Sequence, residues 1–364
     1  MTDSTEPSDS DRSIPDTSLD DLLTRIVPGN DDPAYVEAEA AAAERWDSRA
    51  KPPGSLGRIE AIGGRVAAIT GVCPPAVPEN PAVVVFAGDH GVVADGASAW
   101  PSEVTGLMVQ AMAGGAAAIN AFAATVGASV SLVDVGVASD LSEVEAVVDA
   151  KVRAGTASLA SGPAMTRDEA LTAIGVGAAA ARVTIEDGGD LLVGGDMGIG
   201  NTTPSTALIA HFTAAPVGSI VGPGAGSTDE GIARKRDLIE AALQRLDPDA
   251  DAVDVLAAVG GLEIAALAGF FLGAAAARVP VIVDGVIACA AACVAEALAP
   301  GTASRLIAGH RSTEPAASAA LDHLGLDPAL DLDLRLGEGT GACLAVPIVQ
   351  AACRALRDMA DLPA

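Results

Sequence analysis

The stretch Val193-Gly194-Gly195-Asp196-Met197-Gly198-Ile199-Gly200-Asn201-Thr202-Thr203-Pro204 holds the residue types from which a phosphate site is built. Four glycines in seven residues let a backbone turn sharply and approach a ligand closely. Asn201, Thr202, Thr203 and Ser205 can cap a following helix, and Pro204 suits its first turn. The apolar approach Asp190–Val193 reads as a buried strand, and Ser205–His211 as the start of a helix. Strand, glycine loop and helix N-terminus together aim amide N–H groups at an anion. A plain βα turn fits the glycines as well. It has no use for the thioether of Met197 or the carboxylate of Asp196, and these point to a ligand.

The elements that must position this loop follow from the apolar pattern. Ala82–Phe86 reads as a parallel strand covered on both faces, ending in Gly88-Asp89-His90. Further strands are expected at Ser129–Val135, Gly218–Val221, Val279–Val283 and Ser304–Ala308. Helices are expected at Leu19–Ile26, Pro33–Arg49, Arg58–Thr70, Ser102–Phe122, Thr166–Ile185, Asp229–Leu246, Ala252–Ala277 (broken at Gly260-Gly261), Ile287–Leu298 and Ala316–Leu324, with a last one to about Met359. The alternation predicts an α/β fold: a doubly wound, Rossmann-like parallel sheet, with a smaller helical domain from the N- and C-terminal segments. Loops Gly88–His90, Gly194–Asn201, Gly222–Gly226, Asp284-Gly285 and Gly309–Ser312 then converge on one sheet edge, where ligands bind. His90 reads as structural or substrate-orienting rather than as a general base. On residues alone, Arg234-Lys235-Arg236 reads as a solvated helix face.

Composition narrows the class. The chain has 364 residues, a net charge of −27 and 2% aromatic residues, so the core is aliphatic and neither nucleic acid nor an anionic membrane is an expected partner. Five cysteines form no C-x-x-C pair, and the four histidines join no cluster with metal spacing, so no metal is expected. Buried thiols suit a reducing, cytoplasmic compartment, and the acidic N-terminus is not a secretory signal. The charge-free stretch Val104–Val133 is interrupted by glycines and reads as helix, turn and strand, not as a membrane span. The expected organisation is a disordered acidic tail at 1–18, an N-terminal helical layer at 19–80, a large α/β domain at 81–330, and a C-terminal loop and helix at 331–364. The proline-rich connector Cys73–Pro81 marks the first main boundary.

Several stretches in order resemble one family: KPPGSLGRIE (51–60), FAGDHGVVADGASAWPSEVT (86–105), KVRAGTASLASGPAMT (151–166), GGDMGIGNTT (194–203), VGPGAG with ARKR (221–236), GGLEIAALAGFFLGAA (260–275), VDGVI (283–287) and LRLGEGTGA (334–342). Together they resemble the nicotinate-nucleotide–dimethylbenzimidazole phosphoribosyltransferases, which make the lower-ligand nucleotide of cobalamin. The resemblance implies a cofactor-free pentosyltransferase, a homodimer, that moves phosphoribose from nicotinate mononucleotide to a benzimidazole. It implies Glu338 as the base that takes the imidazole proton, and Asp196 as the carboxylate facing the positive anomeric carbon. It implies an acceptor pocket of Ser102, Gln110, Met197 and Leu336. It implies a phosphoribosyl site of Gly198, Gly200, Asn201, Thr202, Gly222, Gly224, Lys235, Asp284 and Ser312. Asp284 could hold ribose hydroxyls or simply end its strand. Two positions depart from the family pattern: Asp196 replaces the usual Glu, and Trp100 replaces a smaller aromatic. The departure at Asp196 keeps a rival open, a non-catalytic nucleotide- or azole-binding homologue. A dinucleotide-dependent oxidoreductase is disfavoured, because no G-x-G-x-x-G follows the first strand.

Overall fold

The computed structural model describes residues 19–362; the segment 1–18, expected to be a disordered tail, lies outside the described residues. Strands β1 (Pro81–Gly88), β2 (Ser129–Gly136), β3 (Val147–Asp149), β4 (Leu191–Met197), β5 (Val281–Val283) and β6 (Leu306–Ala308) form one sheet in the order β3-β2-β1-β4-β5-β6. All of its pairings are parallel. The winding direction reverses between β1 and β4, as expected for a doubly wound sheet. There Phe86 pairs with Asp196 and Ala87 with Met197, so the glycine loop leaves the sheet at its switch point, the usual place for a ligand.

Alternate side chains of each central strand feed two helical layers. Val83, Val85, Leu191, Val193 and Ile282 pack against the helices Arg58–Thr70, Ala118–Val126 and Thr340–Asp358. Ala82, Val84, Phe86, Leu192 and Val281 pack against Arg167–Glu186, Thr202–Thr213, Leu262–Ala276 and Val286–Leu298. The small residues of this chain let two of these helices touch backbone to backbone. A Cβ at Gly177 would lie 1.7 Å from the Ala266 carbonyl oxygen, and one at Gly269 would lie 1.9 Å from that of Ile174. Gly177→Ala is therefore expected to force the helices apart and lower stability by about 3 kcal/mol or more, read as a fall in the urea midpoint.

The N-terminal helices Pro33–Ser48 and Arg58–Thr70 meet the C-terminal helix through Ala42, Trp46, Ala67 and Leu356. They dock on the β6 edge of the sheet through Asp32. Its side chain caps Pro33–Ser48 at the Ala34 amide (3.2 Å) and accepts from Arg305 at 2.6 Å and from Arg278. Burial alone would raise the Asp32 pKa; the two guanidinium partners outweigh it and hold the carboxyl at about 2. A carboxyl depressed in the folded state contributes stability above its unfolded pKa and loses it as pH falls. Between pH 4 and pH 2 this group's share, about 2 kcal/mol, should disappear, a slope that Asp32→Asn should lack in unfolding measured across that range.

Several sequence expectations need correction. Val217–Ile220 is a helical turn entered from Pro216, not a strand; β4 pairs directly with β5 and leaves no slot for it. The single helix expected over Ser102–Phe122 is two, Glu103–Ala113 and Ala118–Val126, because Gly115 turns at φ 75° and Asn120 ties the Ala117 amide to the Met112 carbonyl. The segment Glu103–Val126 is long and apolar enough by composition to cross a membrane, but this turn divides it. The expected strand Ser304–Ala308 begins as a 3-10 turn, Thr302–Arg305, before β6, and β3 was not foreseen.

Candidate active site

A cavity of about 110 Å³ opens at the carboxyl edge of the sheet. Asp196, Met197, Gly198, Gly200, Asn201 and Thr202 line it from the β4 loop. Gly224 and Lys235 line it from one side, Ser312 from the β6 loop, and Leu336 with Gly337 from the C-terminal segment. The loop is held rigidly. The Ile199 amide donates to Thr105 Oγ1 at 3.0 Å, and a Cβ at Gly198 would meet the Gly88 carbonyl oxygen at 2.4 Å. Below it His90 is buried against Glu263, Nε2 to Oε1 at 2.7 Å, and does not line the cavity.

Two acidic residues from distant parts of the chain are joined here through the backbone; Asp196 lines the cavity and Glu338 does not. The Glu338 amide donates to the Asp196 carbonyl at 3.1 Å, extending the end of β4 by one backbone bond. Glu338 stands at φ 62° between Gly337 (93°) and Gly339 (85°), a left-handed turn that a non-glycine residue adopts at a cost of order 1 kcal/mol or more. Such strain persists where the surrounding structure enforces it, often at functional sites. Glu338 Oε2 accepts from the Ile119 amide, at the N-terminus of Ala118–Val126 (3.1 Å). Burial raises its pKa, against the stabilising Ile119 amide. Asp196 is raised well above the usual carboxylate value by burial and by the nearby Asp284, Glu263 and Glu338; the Asn201 side-chain amide, donating at 2.9 Å, works the other way. Asn201 was expected to cap the next helix. It sits at the N-cap position, but its side chain serves Asp196 instead.

The basic run 234–236 divides by role. Lys235 is buried, with Nζ donating to Thr202 Oγ1 (3.0 Å) and to the Gly222 carbonyl (3.3 Å), while Arg236 pairs with Asp237 at the surface. Burial lowers the Lys235 pKa, opposed by the Glu314 carboxylate. Three titratable lining residues have no role assigned from the sequence: His310, in a loop expected at this edge, Glu314 and Arg335. Glu314 Oε1 accepts from the Gly224 amide at 2.8 Å, so a carboxylate already occupies one of the expected anion-binding amides. His310 Nε2 lies 3.3 Å from Asp284 Oδ1. Burial opposes its charge, but the Asp284 carboxylate prevails and the His310 pKa is raised. Asp284 itself sits beneath the cavity and accepts from the Ala342 amide at 2.8 Å. Ser102 and Gln110 lie on the helix Glu103–Ala113 and its N-cap, and neither lines this cavity. Among the described residues no cluster of His, Cys and carboxylates could hold a metal.

A profile of the phosphoribosyltransferase family matches residues 32–363. The chain belongs to that phosphoribosyltransferase family. It is 50% identical over 343 residues to the nicotinate-nucleotide–dimethylbenzimidazole phosphoribosyltransferase of Salinispora tropica, covering 90% of this chain and 94% of that one. It is 52% identical over 329 residues to the enzyme of that name from Chloroflexus aurantiacus, covering 90% and 93%. The crystal structure of the Thermus thermophilus protein of that name superposes with a TM-score of 0.86 at 47% identity, over 91% of this chain and 97% of that one. A phosphoribosyltransferase needs a phosphate cradle and a place for positive charge at the anomeric carbon. The glycine loops, Lys235 and Asp196 all line the cavity.

Proposed function

We propose that this chain transfers the phosphoribosyl group of nicotinate mononucleotide to 5,6-dimethylbenzimidazole, releasing nicotinate and giving α-ribazole 5′-phosphate. What carries the reading, beside the family, is one junction: Asp196 lining a glycine-loop cavity with Lys235 and Ser312, tied by a backbone hydrogen bond to Glu338. The bond from the anomeric carbon to the pyridinium nitrogen breaks and nicotinate leaves with that electron pair. Asp196 faces the positive charge left behind. An imidazole nitrogen attacks the anomeric carbon, and Glu338 takes the proton that the acceptor ring sheds. Gly198, Gly200, Asn201, Thr202, Gly222, Gly224, Lys235, Asp284 and Ser312 hold the phosphoribosyl group, and Ser102, Gln110, Met197 and Leu336 the acceptor.

The test is incubation of the purified protein with both substrates, following nicotinate and the new nucleotide by chromatography and mass. Failure to form that nucleotide would overturn the reading. The same proposal includes a cytoplasmic homodimer. Five free thiols, four of them buried, support the compartment. The homodimer is what the family resemblance implies; Leu107, 62% exposed on the helix Glu103–Ala113, is a side chain that a second copy could cover, and a monomer in sedimentation equilibrium would contradict it.

A further inference from the structure

The candidate site is a cavity at the carboxyl edge of the sheet. Two segments make its mouth: Ala97, Ser98 and Ala99 on one side, Gly224, Ala225 and Ser227 on the other. One side chain joins them. Trp100 Nε1 donates to the Ala225 carbonyl at 3.1 Å, while its own amide donates to Ser98 Oγ at 3.0 Å. Trp100 is 53% exposed, so little packing holds it there, and this is the one bond its indole can donate. Each segment carries a glycine with positive φ and open space where a side chain would be, Gly96 (80°) and Gly226 (101°). A second tie, Arg234 Nε to the Asp95 carbonyl at 3.0 Å, anchors the foot of the first segment to the helix that carries Lys235.

We propose that Trp100 is a positioning residue for the donor: its indole bond to Ala225 latches the 96–100 segment to the 223–227 loop over the bound phosphoribosyl group, and parting of the two segments at Gly96 and Gly226 admits it. The proposal rests on the reading of this cavity as the phosphoribosyl site. The closed latch keeps the Gly224 turn in place beside Lys235, so it acts on donor affinity and not on bond-breaking.

The experiment uses the full chain and nicotinate mononucleotide. Trp46 is 4% exposed, so acrylamide quenching of tryptophan fluorescence reports Trp100. Saturating donor should reduce that quenching, because the bound phosphoribosyl group holds in place a latch that opens and closes in the free protein. Trp100→Phe keeps the ring and loses the N–H. It should raise the KM for nicotinate mononucleotide by up to about tenfold, leaving kcat and the acceptor KM within about twofold. Quenching that is the same with and without donor, or a Phe variant with unchanged donor KM, overturns the latch while wild-type turnover stands. Absence of wild-type turnover overturns the cavity assignment itself.

Discussion

Glu338→Gln is expected to lower kcat by about 10²–10⁴-fold, with the KM for nicotinate mononucleotide within a small factor of wild type. Glutamine keeps the length and can still accept the Ile119 amide hydrogen bond through its carbonyl oxygen, so the left-handed turn at 337–339 should survive. What it cannot do is take a proton. Burial raises the Glu338 pKa above the ordinary carboxylate value, bringing it closer to the acceptor's range and making proton transfer easier. The sign for pH dependence follows. The base must be ionised, so kcat should fall on acidification with a midpoint above that of a solvent-exposed Glu, and the Gln variant should lack that limb. Wild-type turnover in Glu338→Gln, measured by nicotinate release, would remove Glu338 from the mechanism.

Lys235→Met is expected to act on the other term. It should raise the KM for nicotinate mononucleotide by about 10- to 100-fold, the worth of a charge-assisted hydrogen bond to an anion in a partly desolvated site. Methionine fills much of the buried space but leaves Thr202 Oγ1 and the Gly222 carbonyl without their ammonium partner. The Glu314 carboxylate at the Gly224 amide sharpens the effect. With Lys235 present its charge is balanced; without it, an incoming phosphate meets only repulsion on that side. Initial rates across donor concentrations separate this from a loss of kcat. An unchanged donor KM would show that the phosphate lies elsewhere.

How much of this was legible beforehand depended on whether the signal was local. The helices Arg58–Thr70 and Arg167–Glu186, the second opened by a capping box at Thr166, are written in neighbouring residues, and both stand within a residue of where they were expected. The glycine loop after β4 was equally readable, because strand, glycines and helix start are contiguous. Val217–Ile220 was misread because a short apolar run carries no period, and only the absence of a sheet position decides it. Trp100 could be flagged but not placed, since its partner is 125 residues away. His310 and Glu314 are single polar residues in a loop. A charged residue just before Pro315, at the N-cap of Pro315–Leu324, was the only available hint, and nothing local says that it reaches Gly224.

The contact between Arg167–Glu186 and Leu262–Ala276 bears on how this chain can drift. Gly177 faces the carbonyl of Ala266 and Gly269 that of Ile174, main-chain atoms that every amino acid supplies. No change of side chain at 266 or 174 makes room for a methyl group at the glycine, so neither site has a compensating partner. Among descendants of this sequence the two glycines should stay fixed whatever happens at 266 and 174, which are limited only by their own burial in the core. This close helix-to-helix approach would then leave no trace as correlated substitution, the signal by which contacts are usually inferred from aligned sequences.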